Sequence, residues 1–336
     1  NGVVTSSTAN LFNVITNFAG NSGAVSGNGG DTGPATSANL TTPKGIWGDN
    51  AGNIYIADTG NNRIRKVSPS GIITNFAGNS GGTGGNGGDT SQAFAANLNA
   101  PTGVWGDNAG NTYIADTGNN RIRKVDSIGT ITNFAGNSGG TGGNGGDTGP
   151  ATSANLNAPT GVWGDNAGNI YIADTGNNRI RKVDTNGDID NFAGNSGGTG
   201  GNGGDTTAAT AANLNAPIGV WGDNAGNIYI ADSGNNRIRK VDSTGTITNF
   251  AGNSGGTGGN GGDTTTATSA NLNAPAGTWV DNAGNIYIAD TVNNRLRKVD
   301  LTGIITNFAG DPLGTAGNTG DTGQATKSNL NAPLGI

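Results

Sequence analysis

Four amino acids are missing from this chain of 336 residues. It contains no cysteine, histidine, methionine or glutamate, so all 23 acidic residues are aspartates. Without cysteine and histidine, the usual ligands of zinc, copper and haem are absent. The same absence removes Ser-His-Asp and Cys-His catalysis, disulfides and thiol redox chemistry. The composition therefore argues against an enzyme of any of these classes.

Positive charge and long apolar runs are also scarce. The formal net charge is −6 and the isoelectric point is about 4.5. An acidic chain repels phosphate backbones, so we expect no nucleic-acid partner. No apolar run approaches the roughly 20 residues of a membrane span, so we expect no membrane insertion.

A repeat of 58 residues runs through the chain and is marked by Trp47, Trp105, Trp163, Trp221 and Trp279. A constant period of this length indicates one structural unit copied in tandem. Glycine contributes 65 residues, a composition that disfavours helices and suits tight turns. We therefore expect an all-β repeat protein that forms a single domain over 1–336.

Each unit contains four short strand signals, which in the third unit cover 161–164, 169–173, 179–183 and 189–192. Clusters of Asp, Asn and Gly separate them, and such clusters favour tight hairpin turns. The unit therefore predicts a four-stranded antiparallel meander, and radial repetition of such meanders gives a β-propeller. In the long glycine-rich segment that follows, 205–214 predicts one helical turn capped by Asp205 or Thr206.

The unit resembles a known repeat. The run GNIYIADTGNNRIRKVD at 168–184 resembles the NHL repeat, and 144–168 looks like the long linker between blades in many extracellular NHL proteins. This resemblance covers nearly the whole chain and implies a secreted or extracellular NHL-type β-propeller. It does not fix the function, because NHL and related six-bladed propellers include RNA-binding domains, protein-binding platforms, adhesion proteins and a few enzymes.

The number of blades follows from counting motifs. Phe-Ala-Gly and the Asn-Leu of the linkers each recur six times at the repeat spacing, whereas the tryptophan and the ADTGNNR-type motif occur five times. We therefore expect a six-bladed β-propeller whose sixth blade is incomplete and shared by the two termini. The missing inner hairpin would leave sheet edges open to another copy, which favours a homo-oligomer or filament. The predicted self-association residues are Leu334, Gly335, Ile336, Val3 and Val4.

Positive charge is concentrated in five copies of Asn-Arg-Ile/Leu-Arg-Lys. The copies could form a basic ring that binds an anionic polysaccharide or nucleic acid. Each arginine also has aspartates nearby in sequence, such as Asp174 and Asp184 near Arg179, and paired charges make no basic patch. We therefore expect these arginines to form ion pairs with aspartates rather than a basic ring.

One aspartate recurs in each glycine-rich loop, and in four copies the preceding GGNGGD matches the GGxGxD core of calcium-binding RTX nonapeptides. Oxygen ligands on flexible backbone suit calcium, so calcium is the one candidate cofactor. The large apolar residue and the nine-residue period of those repeats are missing. The predicted calcium ligands are Asp31, Asp89, Asp147, Asp205, Asp263 and Asp321.

The ADTGNN-type turns and the glycine-rich loops should share one face of the propeller. Such a polar surface suits glycans or another extracellular protein. The predicted contact residues of this face are Asn61, Asn62, Asn119, Asn120, Asn177, Asn178, Asn235, Asn236, Asn293 and Asn294. A single N-glycosylation sequon begins at Asn39.

Every unit carries nearly the same residues, whereas an active site needs different groups arranged asymmetrically. We therefore expect a non-catalytic extracellular scaffold or interaction protein that self-associates into a higher-order assembly or filament. The alternative is a glycan- or protein-binding module that uses the face with the two sets of loops.

Overall fold

The computed structural model describes residues 14–21, 23, 26–320 and 322–336. Five antiparallel sheets follow one another along the chain, and each is one blade of a β-propeller. We number the blades 1 to 5 in chain order, and the four main strands of each blade form a meander in sequence order. The first strands of neighbouring blades contact each other, so strand 1 lies nearest the propeller axis.

The strands recur at corresponding positions in all five blades. The first strands are Ile46–Gly48, Gly103–Gly106, Pro159–Gly164, Pro217–Gly222 and Thr278–Val280. The second strands are Ile54–Asp58, Thr112–Asp116, Ile170–Asp174, Ile228–Asp232 and Ile286–Asp290. The third strands are Arg63–Val67, Arg121–Val125, Arg179–Val183, Arg237–Val241 and Arg295–Val299. The fourth strands are Ile73–Ala77, Thr130–Ala135, Asp188–Ala193, Thr246–Ala251 and Ile304–Ala309.

Short elements of the linker were only partly predicted. A two-residue strand adds to the outer edge of blades 2 to 5, at Ser91–Gln92, Gly149–Pro150, Thr207–Ala208 and Thr265–Thr266. Single 3₁₀ turns in the linkers are Ala35–Ser37, Ala93–Ala95, Ala151–Ser153, Ala209–Ala211, Ala267–Ser269 and Ala325–Lys327. Further 3₁₀ turns join strands 2 and 3 at Thr59–Asn61, Thr117–Asn119, Thr175–Asn177 and Ser233–Asn235. The helical turn expected over 205–214 is thus one short turn, and no side chain caps it.

The core lies between the blades. Alternate residues of a strand point to opposite faces of its sheet. In blade 3, Tyr171 and Ala173 pack in one cluster with Ile228 and Ile230 of blade 4. Trp163 joins the same cluster and packs on Gly222 of the next blade, where no side chain intervenes. The tryptophans of blades 1 to 3 therefore lie at the seams between blades, as the repeat indicates.

The prediction of six blades is wrong, because the described residues form five. At the sixth position, the described residues form an isolated bridge between Val14 and Gln324. Ile15 adds hydrogen bonds with Gly323 and Thr322. No inner sheet forms there within the described part of the chain, because the Trp and ADTGNNR-type motifs that build strands 1 to 3 occur five times.

The ring nevertheless closes at the axis. In each unit, one glycine packs against the backbone of the next unit around the ring. Gly335 takes this place in the sixth position, where a Cβ atom would lie 2.9 Å from Lys44 O. The six glycines are Gly45, Gly103, Gly161, Gly219, Gly277 and Gly335. The two ends of the described chain therefore meet in the sixth position, although they do not complete a blade.

Candidate interaction sites

A buried cluster of four charges holds the glycine-rich loop to each blade. In blade 3, Asp147 lies 2.8 Å from Arg179 Nη1 and 2.6 Å from Arg181 Nη2. Arg181 Nη1 also lies 3.5 Å from Asp174 Oδ2. Both arginines and Asp174 are fully buried, whereas Asp147 is 28% exposed, and the four formal charges sum to zero. The same arrangement recurs in all five blades.

The expected ion pairs are present, but the partners differ from those expected. Arg179 does not pair with Asp174 or Asp184; its partner is Asp147, which lies 32 residues earlier. Asp184 instead accepts hydrogen bonds from the backbone N–H groups of Asn186 and Asp188 and so closes the turn between strands 3 and 4. The buried guanidinium groups are committed to these pairs rather than to a basic surface.

The second buried carboxyl of the cluster has a raised pKa. Burial raises the pKa of Asp232 in blade 4 to about 6, because the charged form loses its water. Hydrogen bonds from the Asn235 side chain and the Asn215 backbone, and the charge of Arg239, oppose this effect without cancelling it. Burial likewise lowers the pKa of Arg239. The cluster therefore holds its ion pairs against a large desolvation cost.

The aspartates predicted to bind calcium are these same loop carboxylates. In five of the six, both oxygens face arginine nitrogens; Asp321 lies outside the described residues. Within the described part of the chain, no three carboxylates are grouped as a metal would require. Calcium would have to compete with two guanidinium groups, and its binding here stays a prediction.

The first asparagine of each ADTGNN-type turn is buried and fastens the glycine-rich loop of its own blade. Asn177 Nδ2 donates to Gly143 O at 2.6 Å and to Asp174 Oδ2 at 2.8 Å. The equivalent residues are Asn61, Asn119, Asn235 and Asn293, which are also buried. Their amide donors are therefore used inside the protein.

The second asparagine of the pair bridges to the following linker. Asn178 has a left-handed φ of 53°, which asparagine tolerates better than most residues. Its Nδ2 donates to Gly198 O at 2.9 Å, and its Oδ1 accepts from the Ala216 backbone at 2.7 Å. The same role falls to Asn62, Asn120, Asn236 and Asn294. A ligand-binding role for either set of asparagines stays a prediction.

These contacts place the turns and the glycine-rich loops together on one face. Neighbouring loops are also joined, as where Asn144 Nδ2 donates to Ser196 O at 3.4 Å. At the sequon, Asn39 is half-buried and its Oδ1 accepts a hydrogen bond from Asn21 Nδ2 at 2.7 Å. Glycosylation of Asn39 stays a prediction.

One departure from the repeat has a structural consequence that was not predicted from the sequence. Val280 stands where the other blades carry a glycine beneath the preceding tryptophan. Trp221 lies 6.0 Å from Trp163 between ring centroids and lines an axial cavity of about 120 Å³. Leu334 and Ile336 line the same cavity, so these predicted self-association residues lie near the axis. The Gly-to-Val change in the repeat was the signal for this rearrangement.

A larger cavity of about 510 Å³ lies beside blade 1. Its walls include Ile46, Ile54 and Ile56 of blade 1, Phe18 near the N-terminus, and Leu330 of the last linker. We call the cleft between blade 5 and blade 1 that contains this cavity the open sixth position. Among the described residues, no helix is long and apolar enough to cross a membrane.

Sequence comparisons relate the chain to teneurins. A family model described as "Teneurin NHL domain" matches residues 9–86. Teneurin-4 of Homo sapiens is 31% identical over 261 residues, which is 68% of this chain and 9% of that protein. Teneurin-3 of Mus musculus is 31% identical over 230 residues, which is 63% of this chain and 8% of that protein. The chain spans less than a tenth of the length of these curated relatives.

Solved structures share the fold at low identity. A structural genomics protein of unknown function from Bacteroides thetaiotaomicron has a TM-score of 0.67 at 17% identity, over 96% of this chain and 70% of that one. A gluconolactonase from Xanthomonas campestris has a TM-score of 0.52 at 13% identity, over 80% of this chain and 75% of that one. This likeness concerns the fold alone, which hosts enzymes as well as other proteins. With its repeated NHL motif, its propeller blades and its match to an NHL domain, the chain belongs to the NHL-repeat β-propeller family.

Proposed function

We propose that this chain is a non-catalytic interaction scaffold that works outside the cell. The observation that carries the proposal is that the charged side chains repeated around the ring are committed to structure. In blade 3, Asp147, Asp174, Arg179 and Arg181 form one closed cluster. Catalysis needs unlike groups that converge on a substrate, and these groups converge on one another. The extracellular setting rests on the resemblance of the 144–168 linker to those of extracellular NHL proteins.

We further propose that the scaffold associates with other polypeptide, including copies of itself, at the open sixth position. Ile46 and Phe18 line its cavity and are 45% and 54% exposed, which is unusual for large apolar side chains in a propeller core. Of the predicted self-association residues, Leu334–Ile336 line the axial cavity, and Gly335 packs against Lys44 and Ile46 of the same chain. Val3 and Val4 lie outside the described residues.

The face with the glycine-rich loops is the second candidate surface. Its support is the chain of contacts that joins one loop to the next, such as Asn28 Nδ2 donating to Ser80 O at 3.1 Å. Because the paired asparagines are engaged internally, a glycan or protein would meet mainly backbone groups and the exposed ends of these loops. A glycan array would test this surface directly.

Electron microscopy and light scattering of the purified chain test the scaffold proposal. We expect oligomers or fibres whose mass grows with protein concentration, and we expect Ile46→Asp to return them to single rings. Ile128→Asp is the matched control, because Ile128 is 77% exposed on the turn between strands 3 and 4 of blade 2, away from the cleft. Single rings of one-chain mass at every concentration would contradict self-association.

A further inference from the structure

The dipeptide Asn-Gly occurs in two different settings among the described residues. Five copies lie in the glycine-rich loops, and another, Asn186–Gly187, lies in the turn between strands 3 and 4 of blade 3. The asparagines are exposed in both settings. An asparagine amide can react with the backbone nitrogen of the next residue, and glycine has no side chain that obstructs this nitrogen. The loop copies are Asn28–Gly29, Asn86–Gly87, Asn144–Gly145, Asn202–Gly203 and Asn260–Gly261.

In the loops, both reacting groups are accessible. Among the described residues, the backbone N–H of Gly145 donates no hydrogen bond. The side-chain amide of Asn144 is held by one long hydrogen bond, from Nδ2 to Ser196 O at 3.4 Å. The backbone nitrogen of Gly145 is therefore free to approach Cγ of Asn144. The glycine N–H is equally free at Gly29, Gly87, Gly203 and Gly261.

A buried arginine contacts the peptide group that would react. The carbonyl oxygen of Asn144 accepts a hydrogen bond from Arg179 Nη2 at 3.1 Å. When a peptide nitrogen loses its proton, amide resonance shares the negative charge with the carbonyl oxygen. A cation fixed at that oxygen stabilises the charge where it develops, so it eases proton loss from Gly145. The other four loops repeat this contact at 3.0–3.2 Å.

The copy in the turn is protected. The backbone N–H of Gly187 donates to Asp184 O at 3.0 Å, and Asn186 Nδ2 donates to Asp184 Oδ2 at 3.1 Å. Attack by Gly187 would break both hydrogen bonds and would form an anion beside a carboxylate. Among the described residues, no arginine bonds the carbonyl oxygen of Asn186. The same dipeptide thus meets opposite conditions in one blade.

We propose that the Asn-Gly pairs of the glycine-rich loops are sites of self-deamidation and that the fold spares Asn186. The Gly145 nitrogen forms a bond to Asn144 Cγ, and the bond between Cγ and Nδ2 breaks. Nδ2 leaves as ammonia and takes up the proton that the Gly145 nitrogen loses. Water then opens the cyclic imide by adding hydroxide to one carbonyl carbon and a proton to the nitrogen. The product is aspartate or isoaspartate.

The reaction would change the face that carries the loops. The asparagines that react are the residues whose Nδ2 atoms join neighbouring loops around the ring. Each conversion removes one such donor and adds one negative charge, as where a carboxylate would face Ser196 O. The face would therefore loosen and become more acidic with time. The reaction needs only water, so its test does not depend on the proposed scaffold role.

Peptide mapping by mass spectrometry tests the inference on the intact folded chain, incubated at mildly alkaline pH. The gain in mass when an amide becomes a carboxyl group gives the rate at each asparagine. We expect the loop asparagines to convert at least about tenfold faster than Asn186. In urea the two settings are lost, so Asn144 and Asn186 should convert at similar rates. Equal rates at these two residues in the folded chain, or a faster rate at Asn186, would overturn the inference.

Gly145→Ala is the variant that tests the attacking nitrogen. A Cβ atom at this position would lie 4.0 Å from its nearest neighbour, Asn155 Nδ2, so the fold accommodates it. Conversion at Asn144 should slow by about tenfold or more, because the methyl group obstructs the nitrogen. Asn86 and Asn202 of the same molecule are the internal controls and should convert as before. Thermal melting verifies the fold, and unchanged conversion at Asn144 would contradict attack by the Gly145 nitrogen.

Discussion

Val280 occupies the position beneath Trp221 that is glycine beneath the tryptophans of blades 1 to 3. In four blades the tryptophan lies 5.1–5.7 Å from the tyrosine of its own blade between ring centroids. Among the described ring contacts, Trp221 has none with Tyr229 and lies instead 6.0 Å from Trp163. One side chain therefore redirects an aromatic ring towards the axis and breaks the symmetry of the ring.

The seam glycines are expected to tolerate no side chain. A Cβ atom on Gly222 would overlap the ring of Trp163, which is 8% exposed. We predict that Gly222→Val lowers the free energy of unfolding by about 2–3 kcal/mol, since it expels a buried tryptophan. Urea unfolding measures the change. The reverse substitution Val280→Gly is the control and should change stability by less than about 1 kcal/mol, because regained packing offsets added chain entropy.

The sequence predicted that the repeated tryptophans lie at the seams between blades, but it did not predict the different position of Trp221. A tryptophan and a glycine recurring with one period fix which strands carry the contact. They do not reveal that the two residues meet across neighbouring blades, 59 positions apart. Val280 was visible as a departure from the repeat, and its consequence for Trp221 depends on packing that only the folded ring defines.

The loop carboxylate should be required for stability. Asp147→Asn leaves Arg179 and Arg181, both fully buried, short of one negative charge. Because Asp147 itself is 28% exposed, we expect a loss of about 2–3 kcal/mol rather than the larger cost of a fully buried pair. Asp184→Asn, in an exposed turn, is the matched control. Equal unfolding curves for the two variants would contradict the structural role of Asp147.

Sequence analysis identified the arginines and aspartates as ion pairs but chose the wrong partners. It favoured residues close to Arg179 in the chain. The actual partner, Asp147, lies in the preceding linker, and it reaches the arginine because the short strand Gly149–Pro150 pairs with the outer edge of the blade. A two-residue strand has too little periodicity to be recognised in a sequence, so the loop that it anchors could not be placed.

The second asparagine of each turn combines a conformational and a hydrogen-bonding role, and substitution can separate them. Asn178→Gly keeps the left-handed φ but removes the bonds to Gly198 and Ala216, so we expect a loss of about 1–2 kcal/mol. Asn178→Ala should cost about 1 kcal/mol more, because alanine disfavours that conformation. Thermal and urea unfolding measure both. A glycine variant as stable as the wild type would show that the bonds contribute nothing.

The buried carboxyl should give the stability of blade 4 a pH dependence. Burial raises the pKa of Asp232 to about 6 from the ordinary 3.8. A folded pKa above the unfolded value means that this contribution is fully present below about pH 4 and is lost as the pH rises through about 6. The wild type should therefore lose stability relative to Asp232→Asn over that range.

Asp242 provides a control of opposite sign. Hydrogen bonds from the Thr244 side chain and the Thr246 backbone lower the pKa of this exposed carboxyl. Its contribution is therefore present above the unfolded pKa and is lost as the pH falls. Urea unfolding of both Asp-to-Asn variants between about pH 3 and pH 8 would measure the two trends. The same slope for both variants would contradict the assignment.

Calcium should have little effect on stability. Both oxygens of Asp147 lie within 2.8 Å of arginine nitrogens, so an added cation would have to displace an existing ion pair. We predict that millimolar calcium and a chelator leave the melting temperature of the wild type unchanged, as measured by differential scanning calorimetry. A clear rise with calcium that disappears in Asp147→Asn would contradict this expectation and support the calcium site.

The number of blades shows how much of the fold could be predicted from the sequence repeat. The motifs correctly placed four strands in each unit and brought the two ends of the chain to one position. They did not give a sixth sheet, because Phe-Ala-Gly and Asn-Leu belong to the fourth strand and the linker, which form without the inner strands. Gly335 then closes the ring at the axis by packing against Lys44, a contact that no motif indicated.

The most direct test of the scaffold proposal is the mass of the purified chain over a range of concentrations, measured by sedimentation equilibrium. We predict that the mass rises above that of one chain as the concentration increases, and that Ile46→Asp, at a side chain that is 45% exposed, abolishes the rise. A mass of one chain at every concentration would contradict the account.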